Sequence, residues 1–419
     1  MPCLCGGGFA SLPSGKNAVE SRKVYFHAFP KGEEMSVFKN FLSSRWGIVV
    51  TGIVVGVLAP VLVKLGNPGN MGVCVACFTR DISGALGLHR AAAVQYIRPE
   101  IIGFVLGSLV AALLFREFKP RAGSSPLIRF FLGMFSMFGA LVFLGCPWRA
   151  YLRLGGGDLN AIVGIVGLTA GICLGIVFLK MGFSLGRSYA APKALGWVMP
   201  VVMIGLLILL LVGVNAFGPN DADGNSTGPI FQTAPKGGHG ALHAAIGISL
   251  IVGLLIGFLA QRSRFCTVGA IRDLILMKDM HLMNGVIALV VAAFATNAIL
   301  GQLKVGFTDP IQPIAHANAL WNFLGMVLSG LAFTLAGGCP GRQVFLSGEG
   351  DTDASVFVLG MIAGAAFAHN FRMASSGMSM TDGVFSPGGV GPYGPAITII
   401  GIVICIVIGL TMRERSHSA

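Results

Sequence analysis

Ten apolar runs of membrane-spanning length dominate this sequence, and no soluble fold accommodates them. A helix needs about 20 mostly apolar residues to cross a bilayer. The runs lie at about 46–65, 99–115, 127–145, 159–179, 194–217, 241–260, 284–303, 320–337, 354–369 and 396–412. Only 11% of the 419 residues are charged, where a soluble domain carries roughly 25%. This balance excludes a disordered chain, a nucleic-acid-binding domain and an ordinary cytosolic enzyme. The net charge of +12 reads as a topology signal, because excess Lys and Arg orients membrane proteins. The expectation is an all-α integral membrane protein in a lipid bilayer, with no nucleic-acid partner.

Two segments of mixed polarity, 70–90 and 262–281, are too short and too polar to span. Each is expected to be a re-entrant helix, tolerated where protein or water satisfies its backbone. They also reveal an internal repeat. Cys74 is followed six residues later by Arg80-Asp81, and Cys266 by Arg272-Asp273. Gly145-Cys146-Pro147-Trp148-Arg149 answers Gly338-Cys339-Pro340-Gly341-Arg342, at separations of 72 and 73 residues from the first cysteines. Asp158 and Asp351 follow each Cys-Pro in the same frame, at the head of the next apolar run. Matches held in one frame over more than 80 residues are the mark of a duplicated unit.

Five spans per half put the second half into the membrane upside down. The expected organisation is a cytoplasmic tail (1–45), a first repeat (46–217), a periplasmic loop (218–240), a second repeat (241–412) and a cytoplasmic tail (413–419). With the N-terminus inside, the inside segments hold 20 of the 29 Lys and Arg, as the positive-inside rule asks. Inverted repeats of this kind are common in membrane transporters, with the substrate path at the repeat interface. Residues 1–34 read as an upstream extension before Met35, and Cys3 and Cys5 then have no role.

The chemistry concentrates in the repeat. Pro biases the preceding Cys away from helical geometry and suits the first turn of a new helix. Cys146 and Cys339 are therefore expected near helix N-caps, where free N–H groups and the positive helix end attract anions and activate a thiol. Arg149 and Arg342 add a fixed positive charge one turn on. Cys74 and Cys266 approach on the re-entrant segments. Pro147 and Pro340 shape the breaks, and Arg80-Asp81 and Arg272-Asp273 read as internal salt bridges that hold the turns. Asp158 and Asp351 read as helix N-caps. Cys173 and Cys405 have no repeat counterparts and read as small buried hydrophobes. His89, His243, His281 and His369 share no ligand spacing, and the sequence calls for neither metal nor cofactor.

The Cys-Pro-x-Arg pair, the two Cys-x5-Arg-Asp segments and the ten-span pattern resemble the YeeE/YedE family of sulfur-compound transporters. GCPWR, GGCPGR and RFCTVGAIRD carry the likeness, which is greatest to the YedE branch linked with selenium metabolism. The resemblance implies uptake of a small sulfur or selenium anion across a bacterial inner membrane. It implies a narrow path lined by Cys146 and Cys339, and by Cys74 and Cys266, whose thiols pass the ion along by hydrogen bonds. It leaves the cytoplasmic loops as the docking place for a small soluble sulfur carrier. Two rivals stand beside this reading. A membrane thiol enzyme, a sulfurtransferase or disulfide-exchange protein, would use Cys74 and Cys77, whose Cys-x-x-Cys spacing the second half breaks with Gly269. A soft-metal permease would use the thiols as ligands, against the charge of the two arginines. No phosphate-binding loop of the nucleotide-hydrolase type is present.

Overall fold

Among the described residues each half runs through seven α-helices in the same pattern of long and short. The computed structural model describes residues 40–413 apart from 214, 215, 217, 219 and 382; Cys3, Cys5 and the segment 1–34 lie outside them. The first half contains α1 (Arg45–Lys64), α2 (Val75–Ala85), α3 (Pro99–Leu114), α4 (Pro126–Phe143), α5 (Pro147–Gly155), α6 (Asn160–Lys180) and α7 (Lys193–Val212). The second contains α8 (Ile246–Ser263), α9 (Thr267–Met277), α10 (His281–Ile299), α11 (Ala319–Ala336), α12 (Pro340–Gly348), α13 (Thr352–Asn370) and α14 (Gly394–Thr411). Among the described residues ten apolar stretches are long enough to cross a membrane, five in each half. Two details differ from the sequence reading. There are four short helices, not two, because each Cys-Pro starts one of its own (α5, α12). And the run expected from 241 becomes helical only at Ile246.

The local chemistry explains these boundaries. Proline, whose missing N–H costs nothing in a first turn, opens α3, α4, α5 and α12. Ser44, Asn318 and Asp351 cap α1, α11 and α13 by accepting from first-turn amides. Asp351 is thus the N-cap expected of it. Asp158 is not: α6 begins two residues later, and the Asp158 carboxylate divides between the Asn160 amide and Arg153.

The halves interlock. The α1 helix packs on α10 and α3 on α8; α4 packs on α13 and α6 on α11. Each pairing joins the two halves, and each has its mirror image, as a two-fold relation between repeats requires. The α4–α11 contact joins two equivalent helices, next to the pseudo-axis. Lipid gives helices no hydrophobic reason to associate, so close approach through small residues must hold them. Glycine supplies it: a Cβ on Gly52 would overlap the Gly285 carbonyl, one on Gly107 that of Leu254, one on Gly167 that of Phe323 and one on Gly360 that of Phe130. Gly139 and Gly325 face each other across α4 and α11. The α7, α10 and α14 helices are the least covered and turn Val201, Leu211, Val291, Ile399 and Val403 outward, as lipid-facing helices do.

Two small antiparallel pieces, β1 (Arg121–Ala122) with β2 (Tyr189–Ala190) and β3 (Ser379–Thr381) with β4 (Val384–Ser386), join loops at the surface.

Candidate functional site

All four repeat-matched cysteines are the N-cap residues of the four short helices: Cys74 of α2, Cys146 of α5, Cys266 of α9 and Cys339 of α12. Three use the thiol as the cap. Cys74 Sγ accepts from the Cys77 amide at 3.4 Å, Cys266 Sγ from Gly269 at 3.2 Å and Cys339 Sγ from Arg342 at 3.4 Å. The sequence placed only the Cys-Pro cysteines at helix ends. Cys74 and Cys266 arrive there without proline, because the chain leaves a turn in extended geometry just ahead of them.

Each half brings its own two cysteines together. Cys74 Sγ lies 3.8 Å from Cys146 Sγ. In the second half the Cys339 amide donates to Cys266 Sγ at 3.4 Å. Cys74, Cys146 and Cys339 are fully buried, and Cys266 nearly so. Each pair thus sits at two convergent helix N-termini, with positive helix ends aimed at buried sulfur.

The flanking groups are asymmetric where the repeat motif is not. Arg149 is fully buried and donates to the carbonyls of Asn70, Leu144, Pro313 and Ile314. Its guanidinium also reaches Cys77 Sγ at 3.9 Å. Among the described residues no carboxylate pairs with it. It is a positive charge held in place by carbonyls, beside the first thiol pair. Arg342 instead pairs with Glu349 at 3.3 Å, and Glu349 also takes Arg264 at 3.1 Å. Gly156 stands where the first half would carry the equivalent of Glu349.

Both Arg-Asp dipeptides form the internal ion pairs expected of them, at 2.6 Å for Arg80–Asp81 and 2.8 Å for Arg272–Asp273. They differ in setting. The second is partly open to solvent, whereas Asp81 is sealed and also accepts from Arg98 at 2.7 Å. Arg98 continues to the carbonyls of Leu242 and His239, so it ties α3 to the loop between the halves.

The sequence reading did not single out Arg98, Arg153 or Trp148. Arg153 pairs with Asp158 at 2.7 Å inside the protein. Arg153 and Trp148 are residues of the first half whose repeat partners are small or apolar, Leu346 and Gly341, and Arg98 ends a loop that is ten residues longer in the first half than in the second. A search for what the halves share passes over them; a search for large side chains answered by small ones finds Arg153 and Trp148. Two other expectations are corrected. Cys173 is exposed on the outer side of α6 rather than buried, unlike Cys405. And two of the scattered histidines meet: the rings of His89 and His369 lie 4.6 Å apart, tilted by 32°, although 280 residues separate them.

Comparison with known proteins bears on what such a site carries. The profile of a family described as sulphur transport matches residues 15–174 and 262–419, one stretch per half. Its first stretch begins inside the segment 1–34. The thiosulfate transporter TsuA of Spirochaeta thermophila is 27% identical over 189 residues, 41% of this chain and 56% of its own length. The thiosulfate transporter TsuA of Escherichia coli is 29% identical over 105 residues, 24% of this chain and 28% of its own length. The alignments thus span about half of one relative and about a quarter of the other.

Proposed function

Because the chain belongs to the sulphur-transport family, whose members carry sulfur compounds across membranes, we propose that it is a permease for a small thio-anion, with thiosulfate first among the candidates. The observation that supports this most directly is the pair of buried thiol sites, one per half, each at two helix N-termini. An anion of sulfur needs two things on its way through a bilayer: positive potential and soft contacts. Helix ends and the carbonyl-held Arg149 supply the potential. Cys74, Cys146, Cys266 and Cys339 supply polarisable S–H donors matched to sulfur. Selenium oxyanions share much of this chemistry; both relatives bear the name of thiosulfate. The excess of Lys and Arg in the inside segments supports a bacterial inner membrane with both termini in the cytoplasm.

Uptake by cells expressing the chain, offered labelled thiosulfate, selenite, sulfite and sulfate separately, tests the substrate. Substitution tests the path. Ser is a harder and less polarisable donor than Cys, so Cys146→Ser and Cys339→Ser should each lower thiosulfate uptake about tenfold, the loss of roughly one hydrogen bond. Stations in series all have to work, so the double variant should be little worse than the poorer single. Cys146→Ala and Cys339→Ala should do at least as much damage. If the thiols were only packing, Ala would be tolerated and Ser would be the worse change, since it buries a hydroxyl in an apolar site. Cys173→Ser, on the outer surface, is the control. Full uptake by the Ala variants would sink the thiol path. Mass spectrometry of protein trapped during turnover separates transport from thiol chemistry: a persulfide or mixed disulfide on Cys74 or Cys77 would favour the enzyme reading.

A further inference from the structure

We propose that the indole N–H of Trp148 binds an oxygen of the transported anion, in a subsite at the second thiol pair. The inference rests on the transport reading above and adds to it the residue that recognises the oxygen end of the ion.

Trp148 is the largest fully buried side chain of the protein's described part, and its Nε1 has no hydrogen-bond partner. A buried N–H left unpaired costs free energy, and native structures rarely carry one without a reason. The surroundings offer it no acceptor from aromatic neighbours. Phe265 meets the indole edge-on at 5.2 Å, and Phe345 and Phe104 pack at 5.9 and 6.1 Å. These rings fix the plane of the indole and leave its polar edge to point elsewhere.

The nitrogen side of the ring packs against the start of α12. A Cβ built on Gly341 would fall 2.9 Å from Trp148 Nε1 and 2.9 Å from Cε2. Gly341 is the residue that repeats Trp148 in the second half, two positions beyond Cys339. The first half has thus placed its large residue in the space its counterpart leaves empty. Phe265, which holds the ring, immediately precedes Cys266. The indole of the first repeat therefore touches the chain beside both cysteines of the second. Thr267, the residue after Cys266, is also fully buried, and its hydroxyl is turned to the Cys339 thiol.

The chemistry of a thio-oxyanion explains why an unpaired hard donor would be kept beside thiols. Thiosulfate has a soft sulfur at one end and three charged oxygens at the other. Thiols suit the first and N–H and O–H donors the second. Cys266 and Cys339 then hold the sulfur while Trp148 holds oxygen. The subsite discriminates by both ends at once, which thiols alone cannot do.

Two measurements on the full chain test this. In proteoliposomes with labelled thiosulfate, Trp148→Phe keeps the ring and removes the donor, and should raise KM about tenfold. In a chain carrying Trp46→Phe, Trp197→Phe and Trp321→Phe, Trp148 is the only indole left. Its emission should change saturably with added sodium thiosulfate, and not with sodium chloride. An unchanged KM in a well-inserted Trp148→Phe protein would overturn the inference, as would flat emission at thiosulfate concentrations that saturate transport. If Trp148→Phe fails to insert, the emission titration decides, because it leaves residue 148 unaltered. Absence of uptake by the unaltered chain is a different result: it would sink the transport reading, and the subsite with it.

Discussion

His316 shows how much a single buried side chain depends on the loops around these sites. It lies between α10 and α11, fully buried, with Nε2–H donating to the Val142 carbonyl at 2.8 Å and Nδ1 accepting from the Asn318 amide at 3.2 Å. Only a neutral ring makes both bonds. Burial pushes its pKa from 6.5 down to about 4, with the Val142 carbonyl opposing and Arg153 adding to the shift. The folded protein therefore binds fewer protons here than the unfolded chain. The contribution is complete above about pH 6.5 and is lost as pH falls from there toward about 4. Thermal unfolding of the purified protein should show a midpoint that drops between pH 6.5 and pH 4.5. His239, also pushed to about 4 by burial and then by Arg80 and Arg149, contributes to the same slope. His316→Gln keeps a donor for Val142 and does not titrate, so it should flatten the slope in part. An identical slope in that variant would show that His316 is not charged on unfolding.

At the scale of elements, the glycines decide whether the halves close. A large side chain on Gly167 would have to displace the Phe323 carbonyl of α11, a backbone atom that cannot rotate away. Gly205 on α7 has nothing within 4 Å of its missing Cβ. Gly167→Leu should thus sharply reduce the monodisperse protein recovered from membranes, since overpacking a tight contact costs about 1–3 kcal/mol or more. Gly205→Leu should be recovered like the unaltered chain. Size-exclusion profiles of detergent extracts compare the two, and equal profiles would mean that α6 and α11 are not held by close approach. The four short helices belong to this scale as well. Each is nine or eleven residues long and too short to be stable alone. Buried neighbours hold it, and its start is where a thiol is delivered.

At the scale of the whole molecule, ion pairs collect loops into two groups. Glu117 pairs with Arg262 and Arg264, Glu349 with Arg264 and Arg342, and Arg121 with Asp351. These residues come from the segments 116–129, 261–283 and 338–353, all assigned to the inside by counting spans. Hydrogen bonds from Arg98 to Leu242 and from Asn370 to Leu88 join segments of the other group. The contacts therefore keep the alternation that five spans per half demand. A reporter fused at the C-terminus should read cytoplasmic and one inserted near Asn225 periplasmic. Both on the same side would remove the inverted arrangement.

The span count, the duplication and the four cysteines were legible in the sequence because each is a local signal. Apolar runs, a Cys-Pro-x-Arg motif and a repeated spacing need no knowledge of what lies across the molecule. The ends of helices were legible where proline set them and less so at 241–246, where the stretch ALHAAI offers neither a proline nor a capping side chain to mark a start. What tertiary structure alone decided is which groups meet. Whether Cys74 sits 3.8 Å from Cys146, whether Arg149 or Arg342 finds a carboxylate, and whether an indole fills the place of a missing side chain on Gly341 all depend on segments far apart in the chain. The repeat makes such residues hard to see, since it draws attention to what the halves share. Two copies of one chain segment cannot both fill the space on a pseudo-two-fold axis, so large must face small there. That requirement is a property of packing, and it put Trp148 opposite Gly341.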